Sequence, residues 1–434
     1  MRILLTGATG FIGRHVLRAL LAQGHHVVCT ARRPGAPGAG VSWLEADFAK
    51  DTEKSTWLAR LNGIDAVINT VGIFRESAGQ TFAALHTDTP RALFAACADA
   101  GVSRVIQLSA LGADEGASTR YHLSKKAADD YLAALPLEGF IVQPSLVYGQ
   151  DGASASAFKM LAAMPFALRF GRGAQLVQPI HIDDLAAAII GLLGDAPPVA
   201  PGRVALVGPR ALPFTDYLAA LRRAMGMGRL RVLTLPDALA RLAAQLGSVL
   251  PGALLDPDAL SMLNRGNSGD AQAARQLVGR PLRTIDSFIE HPGMERRDAK
   301  LSWLLPVLRL SIAFVWIATA IVSYGVYPVA DSYLLLERSG IPASLQPLML
   351  YGAATFDLLL GIAILFVRRR ALWAVQLALI GFYTVVIAIK LPEFLLHPYG
   401  PLIKNLPMMA AIWLLAEFEE PKVKNSARKN RWNT

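Results

Sequence analysis

The chain has 434 residues, with 43 Lys plus Arg against 33 Asp plus Glu, a formal net charge of +10. Only 18% of residues are charged and 53% are apolar, which excludes a disordered chain, because disorder requires low hydrophobicity with high net charge. The same balance excludes one soluble globule: the apolar excess must lie somewhere dry, and the length calls for two or more units. Cys29 and Cys97 lie far apart with no CxxC or neighbouring His pattern, so a disulfide framework and a metal site are not expected. Met1-Arg2 is followed by only three apolar residues, Ile3 to Leu5. A secretory signal needs about 7–15 in a row, so the first domain is expected to fold in the cytosol.

Residues 1–150 alternate short apolar runs with helical patterns, the signature of parallel βαβ units. Arg2 to Thr6 reads as the first strand, Arg14 to Gln23 as a helix closed by Gly24, and Val27 to Thr30 as the second strand. Between the first strand and the helix stands Gly7-Ala-Thr9-Gly10-Phe11-Ile12-Gly13. Glycines three residues apart permit a tight turn, close backbone approach to a pyrophosphate and close packing of helix on strand. The helix N-terminus then offers free N–H groups to the phosphates. After the second strand the chain reads Thr30-Ala31-Arg32-Arg33-Pro34, without the acid that would hold the ribose hydroxyls of NAD. Guanidinium groups match a 2′-phosphate in charge and shape, so Arg32 and Arg33 favour NADP(H) over NAD(H).

The run from Gly7 to Gly13 resembles the short-chain dehydrogenase/reductase superfamily in its extended or atypical branches, and further motifs follow in that family's order over about residues 1–290. Asp47-Phe48 resembles the adenine-contacting acidic pair, and Asn69-Thr-Val71-Gly72 closes a fourth strand on the implied nicotinamide side. Val105 to Ser109 ends a fifth strand in a serine, Tyr121-His-Leu-Ser-Lys125 gives YxxxK, and Gln143-Pro144 to Gly149 resembles the later Pro-Gly loop. The resemblance implies cofactor contacts at these positions, with Lys125 also holding the nicotinamide ribose. Tyr121 and Lys125, four apart, share one helix face. A phenol has a pKa near 10, and a nearby ammonium is expected to lower it towards the working range. Ser109 is expected to hydrogen-bond a substrate carbonyl, with Tyr121 exchanging the proton during hydride transfer. The chain is also similar to the group around the nucleotide-binding accessory subunit of respiratory complex I, whose members often lack intact catalytic residues. That likeness implies a non-catalytic scaffold or assembly factor of a membrane complex as the alternative. An NAD-dependent nucleotide-sugar epimerase or dehydratase is a third reading, disfavoured by the missing acid after strand two.

A substrate lobe is expected mainly in 150–180 and 203–290, including an amphipathic helix from Leu235 to Leu255 read as core-facing, and 291–302 as linker. Four apolar stretches follow, about 303–325, 344–367, 371–390 and 402–418, each near the roughly 20 residues that cross a bilayer. Eleven basic residues flank them on one side (Arg296, Arg297, Lys300, Arg368 to Arg370, and Lys422, Lys424, Arg428, Lys429 and Arg431 in the tail 419–434) against Arg338, Lys390 and Lys404 on the other. Positive loops stay inside. This predicts a multi-pass protein of a bacterial-type inner membrane, with both termini and the nucleotide domain cytoplasmic. The basic excess then needs no nucleic acid. Arg309 and Asp357 fall inside the first two spans at depths that allow a pair. The block 303–418 resembles the DoxX-like membrane family through its four-span layout, Phe356-Asp357 to Gly361 and Lys404-Asn405-Leu406-Pro407. The expected architecture is therefore a doubly wound α/β Rossmann domain with a small lobe, followed by an all-α transmembrane bundle. Its expected partners are a hydrophobic substrate, the lipid bilayer and a membrane-complex component or a second copy of the chain.

Overall fold

The computed structural model describes residues 1–170, 173, 175–236, 238, 239, 245, 257–398 and 400–418. It divides into two units, Met1–Lys300 and Leu301–Thr434. Most of the Leu235 to Leu255 stretch and the basic tail lie outside the described residues.

In the first unit, strands β1 (Arg2–Thr6), β2 (His26–Ala31), β3 (Val41–Glu45), β4 (Ala66–Asn69), β5 (Arg104–Leu108) and β6 (Glu138–Pro144) are followed by short strands β7 (Val147–Tyr148), β8 (Phe166–Phe170), β9 (Leu176–Val177) and β10 (Ile180–His181), and by β11 (Gly202–Leu206). Seven of them form one parallel sheet in the order β11-β6-β5-β4-β1-β2-β3. Residues 203–206, expected as the start of the second lobe segment, belong instead to β11, which pairs in register with β6 and closes the sheet edge.

Alternation along each strand feeds two cores. Ile3, Leu5, Val27, Cys29, Ile68 and Ile106 face one layer with helices α1 (Phe11–Ala22) and α6 (Ile182–Gly191). Leu4, Val28, Val67, Val105 and Ile141 face the other, with α2 (Lys54–Leu58), α3 (Thr89–Asp99) and α4 (Arg120–Ala133). Such a sheet, buried on both faces, requires the near-continuous apolar strands seen here. The chain runs outward in both directions from β1 and β4, so the crevice at their C-terminal ends is the switch point where doubly wound sheets bind ligands. A smaller core around Tyr148, Tyr217, Leu218, Leu221 and Phe288 builds the lobe, with α5 (Ala153–Ala163) and α7 (Phe214–Ala224).

The second unit is helical. Pro292–Ile321, Gln346–Phe366 and Arg370–Lys390 have 30, 21 and 21 residues. Residues 292–302, expected as linker, belong to the first of these helices. Among the described residues, three helices are long and apolar enough to cross a membrane. A fourth apolar helix, Asn405–Phe418, has 14 described residues, about 21 Å at 1.5 Å per residue. Gly361 lets two helices meet closely, since a Cβ there would stand 2.6 Å from Ile317 Cγ1. Trp316 Nε1 donates to buried Gln376 at 3.0 Å, and Asn405 Nδ2 donates to Thr384 at 2.8 Å, so polar side chains tie the bundle from within. Phe314, Leu348, Phe366 and Ile389 point outward, 69 to 80% exposed, as lipid-facing side chains do. Among the described residues no ion pair joins Arg309 to Asp357. Arg309 Nε and Nη2 donate instead to the carbonyls of Ile364 and Val367, at 2.6 and 2.7 Å. A helix leaves its last carbonyls without intrahelical partners, and a guanidinium satisfies two at once.

Candidate functional site

The turn from β1 to α1 is built on close contact. Gly7 has φ +75°, and Gly10 donates its N–H back to the Gly7 carbonyl at 2.9 Å. A Cβ on Gly13 would lie 2.1 Å from the Gly7 oxygen, and one on Gly7 would lie 2.7 Å from Thr70 Oγ1. Side chains at these positions are therefore excluded by neighbouring backbone. Gly10 caps α1 without a side-chain hydrogen bond, leaving the first-turn N–H groups free, with Thr9 and Gly10 exposed beside them. Phe11 packs its ring where a Cβ on Gly149 would sit, 2.7 Å from Phe11 Cζ, and Ile12 lies partly in the core. Arg14, not singled out from the sequence, stands in the same first helical turn, ion-paired with Asp151.

At the end of β2, Arg32 and Arg33 are exposed. With the Gln80 amide oxygen turned towards it, Arg32 Nη1 donates at 2.9 Å, which links this corner to the loop following β4. Asp47 accepts from the Ala49 N–H at 3.1 Å, while Phe48 is spent on the core, edge-on to Trp57 at 5.3 Å.

The C-terminal ends of β1, β4 and β5 carry a buried polar chain: Thr6 Oγ1 donates to Asn69 Oδ1 at 2.5 Å, and Asn69 Nδ2 donates to Gln107 Oε1 at 2.7 Å. Beside it lies the YxxxK pair. Lys125 is buried, and its Nζ donates to the carbonyls of Leu108 and Val71 at 3.0 and 3.2 Å. A Cβ on Gly72 would reach within 3.1 Å of that nitrogen, so glycine there keeps open the space in front of it. Tyr121 sits among rings: Phe74 at 5.2 Å, His122 at 5.4 Å, His86 at 5.6 Å and Phe82 at 6.1 Å between centroids. Glu76 accepts from the Phe82 N–H at 2.8 Å and pairs with Arg120 at 2.8 Å, which fastens the 73–82 loop to the start of α4.

Electrostatics here run against the sequence expectation. Burial, followed by the charge of Asp129, pushes the Tyr121 phenol up to about 12. Burial brings Lys125 down to about 8, partly opposed by Asp129. The ammonium is turned to two carbonyls, and desolvation of the phenol is the larger effect.

Two residues unremarked in the sequence complete the centre. His86 is fully buried; its Nε2 accepts from the Ile73 N–H at 3.0 Å, so Nδ1 carries the hydrogen and meets Ser124 Oγ at 2.9 Å. Asp129, also fully buried, accepts the Ser109 hydroxyl hydrogen. Ser109 therefore has no second hydrogen for a substrate carbonyl. Pro144 ends β6 and accepts from the Leu111 N–H at 3.0 Å, shaping the far wall. His181 caps α6 through Nδ1 at 3.2 Å, a structural task.

A parallel sheet with a glycine cradle at its switch point and an uncapped helix N-terminus defines a nicotinamide dinucleotide-binding unit of the extended short-chain dehydrogenase/reductase type. Residues 3–208 match the NAD dependent epimerase/dehydratase family and residues 313–413 match the DoxX-like family. The chain belongs to the first of these, with a DoxX-like membrane domain following it. A ceramide reductase of Caulobacter vibrioides is 30% identical over 261 residues, 58% of this chain and 77% of that protein. Subunit 9 of the NADH dehydrogenase [ubiquinone] 1 alpha subcomplex of Mus musculus is 28% identical over 47% of this chain. This chain spans only about half of that relative, 55% of its length. A nucleoside-diphosphate-sugar epimerase from Staphylococcus aureus shares the fold at 20% identity, with a TM-score of 0.53, over 67% of this chain and all of that one.

Proposed function

We propose that the chain is a membrane-held, NADPH-dependent oxidoreductase that reduces the carbonyl of a hydrophobic substrate, lipid or quinone-like in class. The observation that carries the reading is the placement of Tyr121 and Lys125 four residues apart on α4, with Lys125 in front of Gly72 and the Val71 carbonyl. The residues fit a dinucleotide: Gly7 and Gly13 stand where a side chain would clash, Gly10 leaves the turn between them bare, and the first turn of α1 carries no side-chain cap over its N–H groups. Arg32 and Arg33 at the ribose corner favour a 2′-phosphate over a bare hydroxyl.

Bound NADPH would supply the hydride to the substrate carbon. Tyr121 supplies the proton to the substrate oxygen. A phenol held near 12 stays protonated at neutral pH, yet the alkoxide forming on the substrate is a far stronger base and takes its proton readily. Lys125, chiefly an ammonium below about pH 8, stabilises the phenolate left behind until solvent reprotonates it. This arrangement favours reduction; oxidation would require the phenolate first. The exposed ring of Phe74 beside Tyr121 gives the mouth an apolar wall, suited to a substrate drawn from the bilayer. The similarity to a ceramide reductase supports a lipid carbonyl. The basic residues on one side of the apolar helices support a multi-pass inner-membrane topology, with both termini and the nucleotide unit cytoplasmic.

The test is NADPH consumption by the detergent-solubilised full chain with a ceramide whose secondary alcohol is oxidised to the ketone. Tyr121→Phe should lower turnover about 10²–10⁴-fold while leaving NADPH affinity within about twofold. Unchanged turnover in that variant would remove Tyr121 from the reaction. The second reading, a nucleotide-binding component of a membrane complex, draws on the similarity to subunit 9. Tight NADPH binding, no consumption with any ketone, and co-purification with a membrane complex would favour it.

A further inference from the structure

Along α4 the buried positions His122, Lys125, Asp129 and Leu132 form a stripe at helical spacing, the kind normally filled by apolar side chains. Asp129 is wholly enclosed in it. An ionisable side chain without solvent is unfavourable unless its oxygens are satisfied. One oxygen of Asp129 accepts from Ser109 at the end of β5, but Oδ1 has no hydrogen-bond partner among the described residues. The carboxylate stands one helical turn beyond Lys125, where i and i+4 side chains are neighbours. The other charged or titratable groups facing it are the Tyr121 phenol and Asp130 on α4 and Arg203 on β11, of which the last two pair with each other. Lys125 in turn is faced by His86, held neutral. Asp129 is thus the only carboxylate among the described residues whose charge raises the Lys125 pKa.

We propose that Asp129 is a positioning residue of the site: it fixes the Ser109 hydroxyl and supplies the buried counter-charge that keeps Lys125 an ammonium towards the nucleotide. This rests on the NADPH reading above. Asp129 touches neither cofactor nor substrate. It acts through Lys125, whose ammonium keeps a third hydrogen and a positive charge for the nucleotide beyond its two carbonyl hydrogen bonds, and through Ser109, whose hydrogen it takes. Burial alone drives Lys125 towards the neutral amine; the neighbouring carboxylate opposes that loss. Without the negative charge, Lys125 would lose its proton at lower pH. The nucleotide would then meet an amine in place of a cation.

The measurement is the NADPH dissociation constant of the full chain in detergent micelles from pH 6 to 10, read by nucleotide fluorescence without any substrate. In the wild type, affinity should weaken as pH rises through about 8. In Asp129→Asn the same weakening should begin about one to two pH units lower, the effect of deleting one unit charge a helical turn away. Affinity at pH 6 should change less than about threefold. Asp129→Glu, which keeps the charge, should restore the wild-type profile. Should Asp129→Asn fail to fold, Asp129→Ser, also neutral, carries the same expectation. A wild-type profile in a folded neutral variant would overturn the proposal. So would misfolding of both neutral variants alongside a folded Asp129→Glu, which would make Asp129 a residue of the fold. Absence of NADPH binding by the wild type would be a failure of the oxidoreductase reading itself, seen before any variant is made.

Discussion

Exchanging His86 for glutamine separates a buried neutral imidazole from every other source of acid sensitivity. Burial first, then the charge of Lys125, lowers the His86 pKa from 6.5 to about 2. The native ring stays neutral while an unfolded chain takes up a proton below pH 6.5. The unfolded state binds more protons, so stability present above that pH is lost as pH falls, at about 1.4 kcal/mol per unit. Relative to high pH, the loss at pH 4.5 is about 2.7 kcal/mol, and it is the same for any native pKa below roughly 3.5. His86→Gln forfeits the hydrogen bonds to Ile73 and Ser124, a deficit of about 1–3 kcal/mol at pH 7. The variant cannot be protonated, so its deficit against the wild type should close by about 2.7 kcal/mol at pH 4.5. Asp129 works in the opposite sense. Burial raises its carboxyl to about 6, so its contribution is full below 3.8 and fades as pH rises through about 6. It is present in both proteins and cancels. The chain's two cysteines, Cys29 and Cys97, are both buried in the first unit. Their reaction with a dipyridyl disulfide under increasing urea therefore reports unfolding of that unit alone. A deficit that stays constant from pH 6.5 to 4.5 would refute the buried, neutral imidazole.

Gly13→Ala would place a methyl 2.1 Å from the Gly7 oxygen, so it should destabilise the first unit by about 1–3 kcal/mol and weaken NADPH binding at least about tenfold, by thermal shift and titration. Arg32→Ala should weaken NADPH by about 10–100-fold and leave NADH within about twofold, because hydrogen bonds to a charged group are worth about 1.5–3 kcal/mol. Equal loss for both nucleotides would end the 2′-phosphate argument. In the membrane unit, Gln376→Leu strands the Trp316 N–H, and a loss of about 0.6–1.7 kcal/mol is expected in detergent unfolding.

What the sequence reveals of the site follows how local each requirement is. The turn at Gly7, Gly10 and Gly13 obeys a rule written in two consecutive three-residue spacings, and it appears in the structure with the contacts that rule demands. Tyr121 and Lys125 are legible in the same way, because helix periodicity alone puts them together. Asp129 belongs to that periodicity too, four residues past Lys125, and the spacing would have pointed to it had the stripe been followed one turn further. His86 carried no such signal. It reaches the site from a different element, and its acceptor role depends on the Ile73 N–H, which only the folded loop provides. The phenol's direction of shift was equally out of reach, since it rests on how deeply the rings of Phe74, Phe82 and His86 enclose Tyr121.

The membrane block teaches the converse. Apolar length is a local property, and it located Gln346–Phe366 and Arg370–Lys390 within a few residues, while the first long helix begins at Pro292, well before the span expected from about 303. The partner of Arg309 is not local. Depth along two antiparallel helices made Asp357 an attractive counter-ion, yet a helix ending at Phe366 exposes unpaired carbonyls at the same level. Two hydrogen bonds to Ile364 and Val367, with Trp373 facing the guanidinium 5.5 Å away, hold the cation at that helix end. Neutral acceptors of this kind carry no mark in the sequence, because every residue has a carbonyl. What frees them is the helix end at Val367-Arg368-Arg369, where extended backbone at Val367 and Arg369 breaks the hydrogen-bond ladder. Arg309 is thereby bound to the end of a neighbouring helix, and its partner follows from where that helix stops.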